Sequence, residues 1–266
     1  MHASMILTTL LGAATALAAP SWPQLSKSSV SFNAESYIAA YFNSLASAVR
    51  DSKTGGTIAG SCDFKKAQMP IEDGLPAVTS GLVLKHVAIG RGSQNYTCDL
   101  SNSTAVPVQT GALATLFNVS CVAANYPTLL AQMPKAALAF TIATSSNPSV
   151  DTVSTLGPMA LSVSGKHFFT NATTPYFNLD STALPLGKAP AHKLNASNAP
   201  ADAPKGLQGE TAVPWLKLAT NPETTGNTKE IYRVNTAGGS APATCKGQAA
   251  SFEVQYAAEY WFWEST

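Results

Sequence analysis

Phe252-Glu253-Val254-Gln255-Tyr256-Ala257-Ala258-Glu259-Tyr260-Trp261-Phe262-Trp263 is the most legible strand in the chain. Side chains alternate across an extended strand, so Phe252, Val254, Tyr256, Ala258, Tyr260 and Phe262 share one face, and that face reads as core. The opposite face carries Glu253, Gln255, Ala257, Glu259, Trp261 and Trp263. Carboxylates beside two indoles suit neither a bulk core nor an ordinary solvated surface. Similar segments recur upstream, at Leu82–Ile89, Gln94–Leu100, Ala112–Cys121, Ala137–Thr144, Leu161–Phe169, Ala212–Ala219 and Glu230–Asn235. They are short, rich in Val, Leu, Phe, Tyr and Thr, and bounded by Gly, Pro, Asn and Ser. Helical patterns do not alternate with them, which argues against a parallel α/β sheet. The pattern predicts an antiparallel β-sandwich or partly closed barrel.

One helix is predicted to pack against these strands, from about Ala34 to Arg50. Ile38, Phe42, Leu45 and Val49 recur at helical spacing, with Asn33 as N-cap. A second, short helix is expected from Thr128 to Met133, opened by Pro127 and stopped by Pro134. Residues 183–210 are dominated by Ala, Pro, Gly and Asn and read as one long loop. The expected organisation is a signal segment at 1–18, a tail and helix at 19–55, and a single β domain over 56–266.

Compartment follows from the N-terminus and the cysteines. Met5–Leu17 is a short apolar run ending in the small-x-small pattern Ala16-Leu17-Ala18, which predicts secretion with cleavage before Ala19. No stretch reaches the length a membrane-spanning helix needs. Cys62, Cys98, Cys121 and Cys245 remain, an even number in a secreted chain, and predict two disulfides in any of three pairings. The absence of a CxxC pair argues against structural zinc. N-glycosylation sequons stand at Asn95, Asn102, Asn118, Asn171 and Asn195. Charged residues are only 12% of the chain and the net charge is +1, so there is no field of the kind nucleic-acid binding requires.

Chemistry-bearing motifs are sparse. Gly90-Arg91-Gly92 lacks the third glycine of a dinucleotide fingerprint and runs into strand-like Tyr96-Thr97-Cys98 where a helix is needed. No GxSxG or HExxH occurs, and no metal or cofactor site is expected. His86, mid-strand among apolar residues, reads as structural, and His192 as a solvated loop residue. His167 and Glu259 are the candidates for acid–base chemistry. Glu253 and Glu259 stand about 20 Å apart along a strand, too far to work as a glycosidase pair. Trp215, Arg233, Asn235, Glu259, Trp261 and Trp263 are the residue types of a sugar-stacking face, the competing reading being a covered layer braced by an Arg233–Glu259 ion pair.

Four segments carry a family resemblance: Ser80–Ala88, Val213–Leu218, Tyr232–Gly239 and Tyr256–Phe262, with Arg233-Val234-Asn235-Thr236-Ala237-Gly238-Gly239 the most specific. They resemble a family of secreted fungal proteins with shorter bacterial relatives, catalogued as a domain of unknown function (the family numbered 3455), over roughly residues 60–265. Many of its members are labelled malate dehydrogenase, a name these residues do not support. The resemblance implies secretion and a domain boundary, and no catalytic residues. The leading expectation is a non-catalytic extracellular or cell-wall protein that binds a polysaccharide. The alternatives are a secreted hydrolase acting on a cell-wall or host polymer, and a purely structural cell-wall protein.

Overall fold

The computed structural model describes residues 62–70, 74–139, 153–156, 159–181 and 184–266, together with residues 41 and 43–45. The signal segment, the tail and most of the N-terminal helix lie outside the described residues. Tyr41 and residues 43–45 are helical. Nine strands follow: β1 (Leu82–Thr97), β2 (Val108–Asn118), β3 (Val153–Leu156), β4 (Met159–Asn171), β5 (Thr174–Asp180), β6 (Pro185–Ser197), β7 (Trp215–Thr220), β8 (Thr228–Gly238) and β9 (Ser251–Ser265). Two helices, α1 (Ser120–Asn125) and α2 (Pro127–Ala139), lie between β2 and β3.

The strands run β2-β1-β9-β8-β7-β6-β5-β4-β3, and β2 also pairs with β4. That extra pairing closes eight strands into an antiparallel barrel, with β3 attached to β4 outside the ring. Setting β3 aside, each strand pairs with its successor and the last with the first, the connectivity of an up-and-down barrel. Closure removes the exposed edges an open sheet of this length would leave.

Two cores result. Inside the barrel lie Ala88, Leu116, Phe177, Leu218, Ile231, Tyr256, Tyr260 and Phe262. On the outside, α1, α2, Tyr41 and Leu45 cover one flank, and Val87, Ile89, Tyr232, Val234, Ala257 and Trp261 pack beneath them. Residues 256–262 are therefore buried on both faces. This is why the second face of the opening segment fits neither core nor surface in the sequence: Ala257, Glu259 and Trp261 are core, with a carboxylate enclosed, while Glu253 and Gln255 are exposed.

Gly90 explains the Gly90-Arg91-Gly92 run. A Cβ there would stand 2.4 Å from Tyr260 Cε2, so the missing side chain lets the phenol ring cross the barrel interior. The cysteines pair as Cys62–Cys121 and Cys98–Cys245. The first ties the segment before the barrel to α1; the second ties the end of β1 to the loop that leads into β9.

Several sequence expectations need correction. Leu82–Ile89 and Gln94–Leu100 belong to one long strand, β1, that ends at Thr97. β2 stops at Asn118, and Ser120 and Cys121 open α1. Helix α2 does not stop at Pro134 but runs through it to Ala139, which also removes Ala137–Ala139 from the expected strand; residues 140–144 lie outside the described residues. Leu129, Leu130, Met133, Ala136 and Ala137 are all buried against the sheet, and that packing offsets the hydrogen bond the proline lacks. The expected loop at 183–210 contains β6, whose Ala189, Pro190 and Ala191 are buried between β5 and β7. Small residues there weaken the strand pattern, yet the barrel wall needs a strand at that position. The sequence pattern predicts neither β3 nor β5.

Candidate functional site

The proposed sugar-stacking residues do not form one face. Trp261 is fully buried and Glu259 is 1% exposed, both beneath α2. The Glu259 carboxylate accepts from Asn235 Nδ2 at 2.7 Å and from Trp261 Nε1 at 2.9 Å. Asn235 also donates to the Ala131 carbonyl of α2 at 3.0 Å. Burial raises the Glu259 pKa to about 7, against the pull of these two hydrogen bonds. Trp215 is buried on the same outer flank, and Trp263 is half-buried near Pro76 and Tyr232. Among these residues Trp215, Trp261 and Glu259 offer no surface for a polymer to stack on, and Trp263 stands apart from them, in a pocket walled by Met69, Pro76 and Val78.

Arg233 departs from this group. It pairs in register with Tyr260 on β9 and Leu216 on β7, both of which face the barrel interior. Asn235 does not follow it inward. The backbone at Asn235 is left-handed (φ 45°), and the β8–β9 register shifts between Val234 and Ala237. The bulge turns Asn235 outward to α2 while Arg233 stays inside, so no Arg233–Glu259 ion pair forms. Thr236 Oγ1 secures the bulge by donating to the Val213 carbonyl at 2.6 Å.

Inside the barrel, Arg233 lines a cavity of about 390 Å³. Phe169, Phe177, Leu216 and Leu218 supply apolar wall; His167, Tyr260 and Arg233 supply polar atoms; Lys193 and Ala196, both exposed, stand at the mouth. The lining holds no carboxylate. Arg233 is 6% exposed. Its Nη2 donates to the Pro214 carbonyl at 2.8 Å, its Nε is buried without a partner, and no carboxylate pairs with it among the described residues. Tyr260 and Tyr256 share a hydroxyl–hydroxyl bond of 2.8 Å. Burial raises the Tyr260 pKa, with the neighbouring Arg233 charge opposing the rise.

His167 is held flat against Phe177, rings 4.3 Å apart and 12° from parallel. Its Nδ1 lies 3.1 Å from the Tyr176 carbonyl, which can only accept, so the proton is on Nδ1 and Nε2 offers a lone pair. Burial drives the His167 pKa down to about 3, the Tyr176 bond opposes that, and Arg233 adds to it. The ring is thus a fixed, neutral acceptor. His86 is structural, as its sequence context implies: it is fully buried between Ser120 Oγ (3.0 Å) and Ser164 Oγ (2.9 Å) and stacked on Phe262. His192 is exposed but sits on β6, not in a loop, with Nδ1 2.7 Å from Asn221 Oδ1. Among the described residues, no group of three or more His, Cys, Asp or Glu is placed to hold a metal ion.

Sequence reasoning missed the cavity walls, although a signal was present. Leu216 and Leu218 alternate with Trp215 and Lys217, and Pro175, Phe177 and Leu179 alternate along β5. Parity places residues on faces, but only ring closure makes one of those faces concave. The sequons divide by exposure. Asn102 and Asn171, the latter the last residue of β4, are exposed just before turns, and each Oδ1 accepts from the Thr two residues on. Asn95, Asn118 and Asn195 are half-buried on strands.

The protein is thus a closed antiparallel barrel with a part-apolar interior cavity, lined by a buried arginine that has no carboxylate partner among the described residues. The chain belongs to the family described as protein of unknown function (DUF3455), whose model matches residues 79–264. That range takes in every strand of the barrel and the whole cavity lining. No curated protein and no solved structure matches the chain. No helix among the described residues is long and apolar enough to cross a membrane.

Proposed function

We propose that this is a secreted binding protein that holds a small, largely apolar molecule inside its barrel and performs no chemistry on it. The observation that carries the reading is the interior cavity, with its aromatic and aliphatic wall and a few fixed polar groups, the make-up ligand sites generally have. Its volume of about 390 Å³ suits a small molecule, not a polymer chain. A hydrolase reading through His167 is poorly supported. Its pKa is pushed to about 3, and a carbonyl, not a carboxylate, orients its ring. Polysaccharide binding through Trp215, Trp261 and Glu259 has no accessible surface to act on. Secretion is supported by the N-terminal apolar run and by the two disulfides, which persist in oxidising compartments.

Titration with N-phenyl-1-naphthylamine, an uncharged dye that fluoresces in apolar surroundings, tests the reading. One saturable site per chain is expected. Ala196→Trp, which puts an indole across the mouth, should weaken binding at least tenfold and leave the melting temperature unchanged. A wild-type protein with no saturable site, or an Ala196→Trp variant that binds as before, refutes interior binding.

A further inference from the structure

We infer that the molecule held in the barrel is an organic carboxylate, its apolar body between Phe169, Phe177, Leu216 and Leu218 and its charged head on Arg233. The inference rests on the interior-binding reading and specifies its ligand class. A guanidinium taken out of water is costly unless an anion accompanies it. Arg233 is 6% exposed, yet neither ion pair among the described residues, Lys85–Glu264 or Lys217–Glu230, involves it. The Pro214 carbonyl takes one of its hydrogen bonds, from Nη2. Nε has no partner, and the Tyr260 hydroxyl that Arg233 also hydrogen-bonds is neutral and leaves the charge unbalanced.

The other buried Arg and Lys side chains among the described residues are provided for. Arg91 donates from Nε to the Ala137 carbonyl, from Nη1 to the Gly92 carbonyl and from Nη2 to Gln255 Oε1. Lys217 is paired with Glu230 at 3.0 Å. Arg233 stands apart as a buried cation that lines a cavity and has no carboxylate partner among the described residues. Lys193 adds a second positive charge at the mouth, and the lining contains no acid to repel an incoming anion. The planar guanidinium fork matches a carboxylate's two oxygens, which a point charge would not do as well. His167 Nε2, a neutral acceptor in the same wall, would in addition favour a ligand body that carries a hydroxyl or amine hydrogen.

The test is displacement of bound N-phenyl-1-naphthylamine by decanoate and by decanol at pH 7.5, where the acid is ionised. Wild-type protein should release the dye at a decanoate concentration at least tenfold below that of decanol. Arg233→Leu should bring the two competitors within twofold of each other. Arg233→Lys should restore part of the preference, and Lys193→Gln should change it less than threefold. If decanol competes as well as decanoate against wild-type protein, the carboxylate assignment is wrong while interior binding stands. The assignment is equally wrong if Arg233→Leu keeps the full preference. If wild-type protein never binds the dye, both readings fall together. The wild-type comparison decides the matter even where Arg233→Leu does not fold.

Discussion

Glu259 shows what one residue contributes when both faces of a strand are covered. Its carboxylate lies in a dry layer, and burial raises its pKa from 4.5 to about 7 even though Asn235 and Trp261 donate to it. The folded chain therefore binds more protons here than the unfolded chain between pH 4.5 and pH 7, so stability falls as pH rises through that window. A rise of that size corresponds to about 3 kcal/mol. Glu259→Gln, which cannot ionise, should flatten the pH dependence of urea unfolding between pH 5 and pH 8. At pH 5 it should cost about 1 kcal/mol, because one oxygen then replaces two as acceptor. An unchanged slope would show that some other group sets the pH dependence. Arg233 makes the complementary point on the other side of the same sheet: two residues before Asn235, it is buried toward a cavity and has no counter-charge among the described residues.

At the scale of elements, α2 depends on the barrel beneath it. A helix laid on a sheet needs polar ties as well as apolar packing to fix its position. Arg91 meets this need from β1, donating to Ala137 O at 3.0 Å. Asn235 holds the middle of the helix from the β8 bulge through Ala131 O. Arg91→Met should remove the clamp and cost about 2–4 kcal/mol, since hydrogen bonds from charged groups exceed neutral ones and the bonds to Ala137 O, Gly92 O and Gln255 are lost together. Amide exchange should then quicken across α2 while the β9 amides keep their protection. Equal acceleration in both would mean that helix and barrel open as one unit. A second pin acts beside β7 and β8, where Glu230 pairs with Lys217 at 3.0 Å and accepts from Thr79 N at 3.1 Å. Burial by itself would raise the Glu230 pKa, but the bonds from Thr79 and Lys217 outweigh it and hold the carboxyl below its ordinary value. That contribution is present above pH 4.5 and is lost as pH falls through the lowered pKa.

For the whole molecule, the two disulfides close spans of 59 and 147 residues, long enough to restrict the unfolded chain substantially. They accord with the secretory reading of the N-terminus, which makes a concrete prediction. Protein recovered from the medium of expressing eukaryotic cells should begin at Ala19 and carry glycan at Asn102 and Asn171, with Asn118 bare. The Asn118 side chain accepts from Ser120 N at 3.0 Å, and Ser120 is buried against His86. N-terminal sequencing and glycopeptide mass spectrometry check this. A chain retained inside cells with Met1 intact would remove the secreted reading.

The period-two pattern by itself determined that the protein is antiparallel and β-rich and that Tyr256, Tyr260 and Phe262 share a core face; the cysteine count determined that there are two disulfides. These are local properties: strand periodicity and residue type are written in consecutive positions. Closure was decided by the tertiary structure alone, through β2 pairing with β4 and through β6, whose Pro- and Ala-rich sequence hides a wall strand. Burial of the second face was likewise decided there, because a strand's sequence gives parity and not what lies over it. The same holds for the separation of Arg233 from Asn235, since a bulge shifts the register by pairing with a distant strand. Concavity, cover and register each depend on partners far away in the chain, and those three together make the cavity and its arginine.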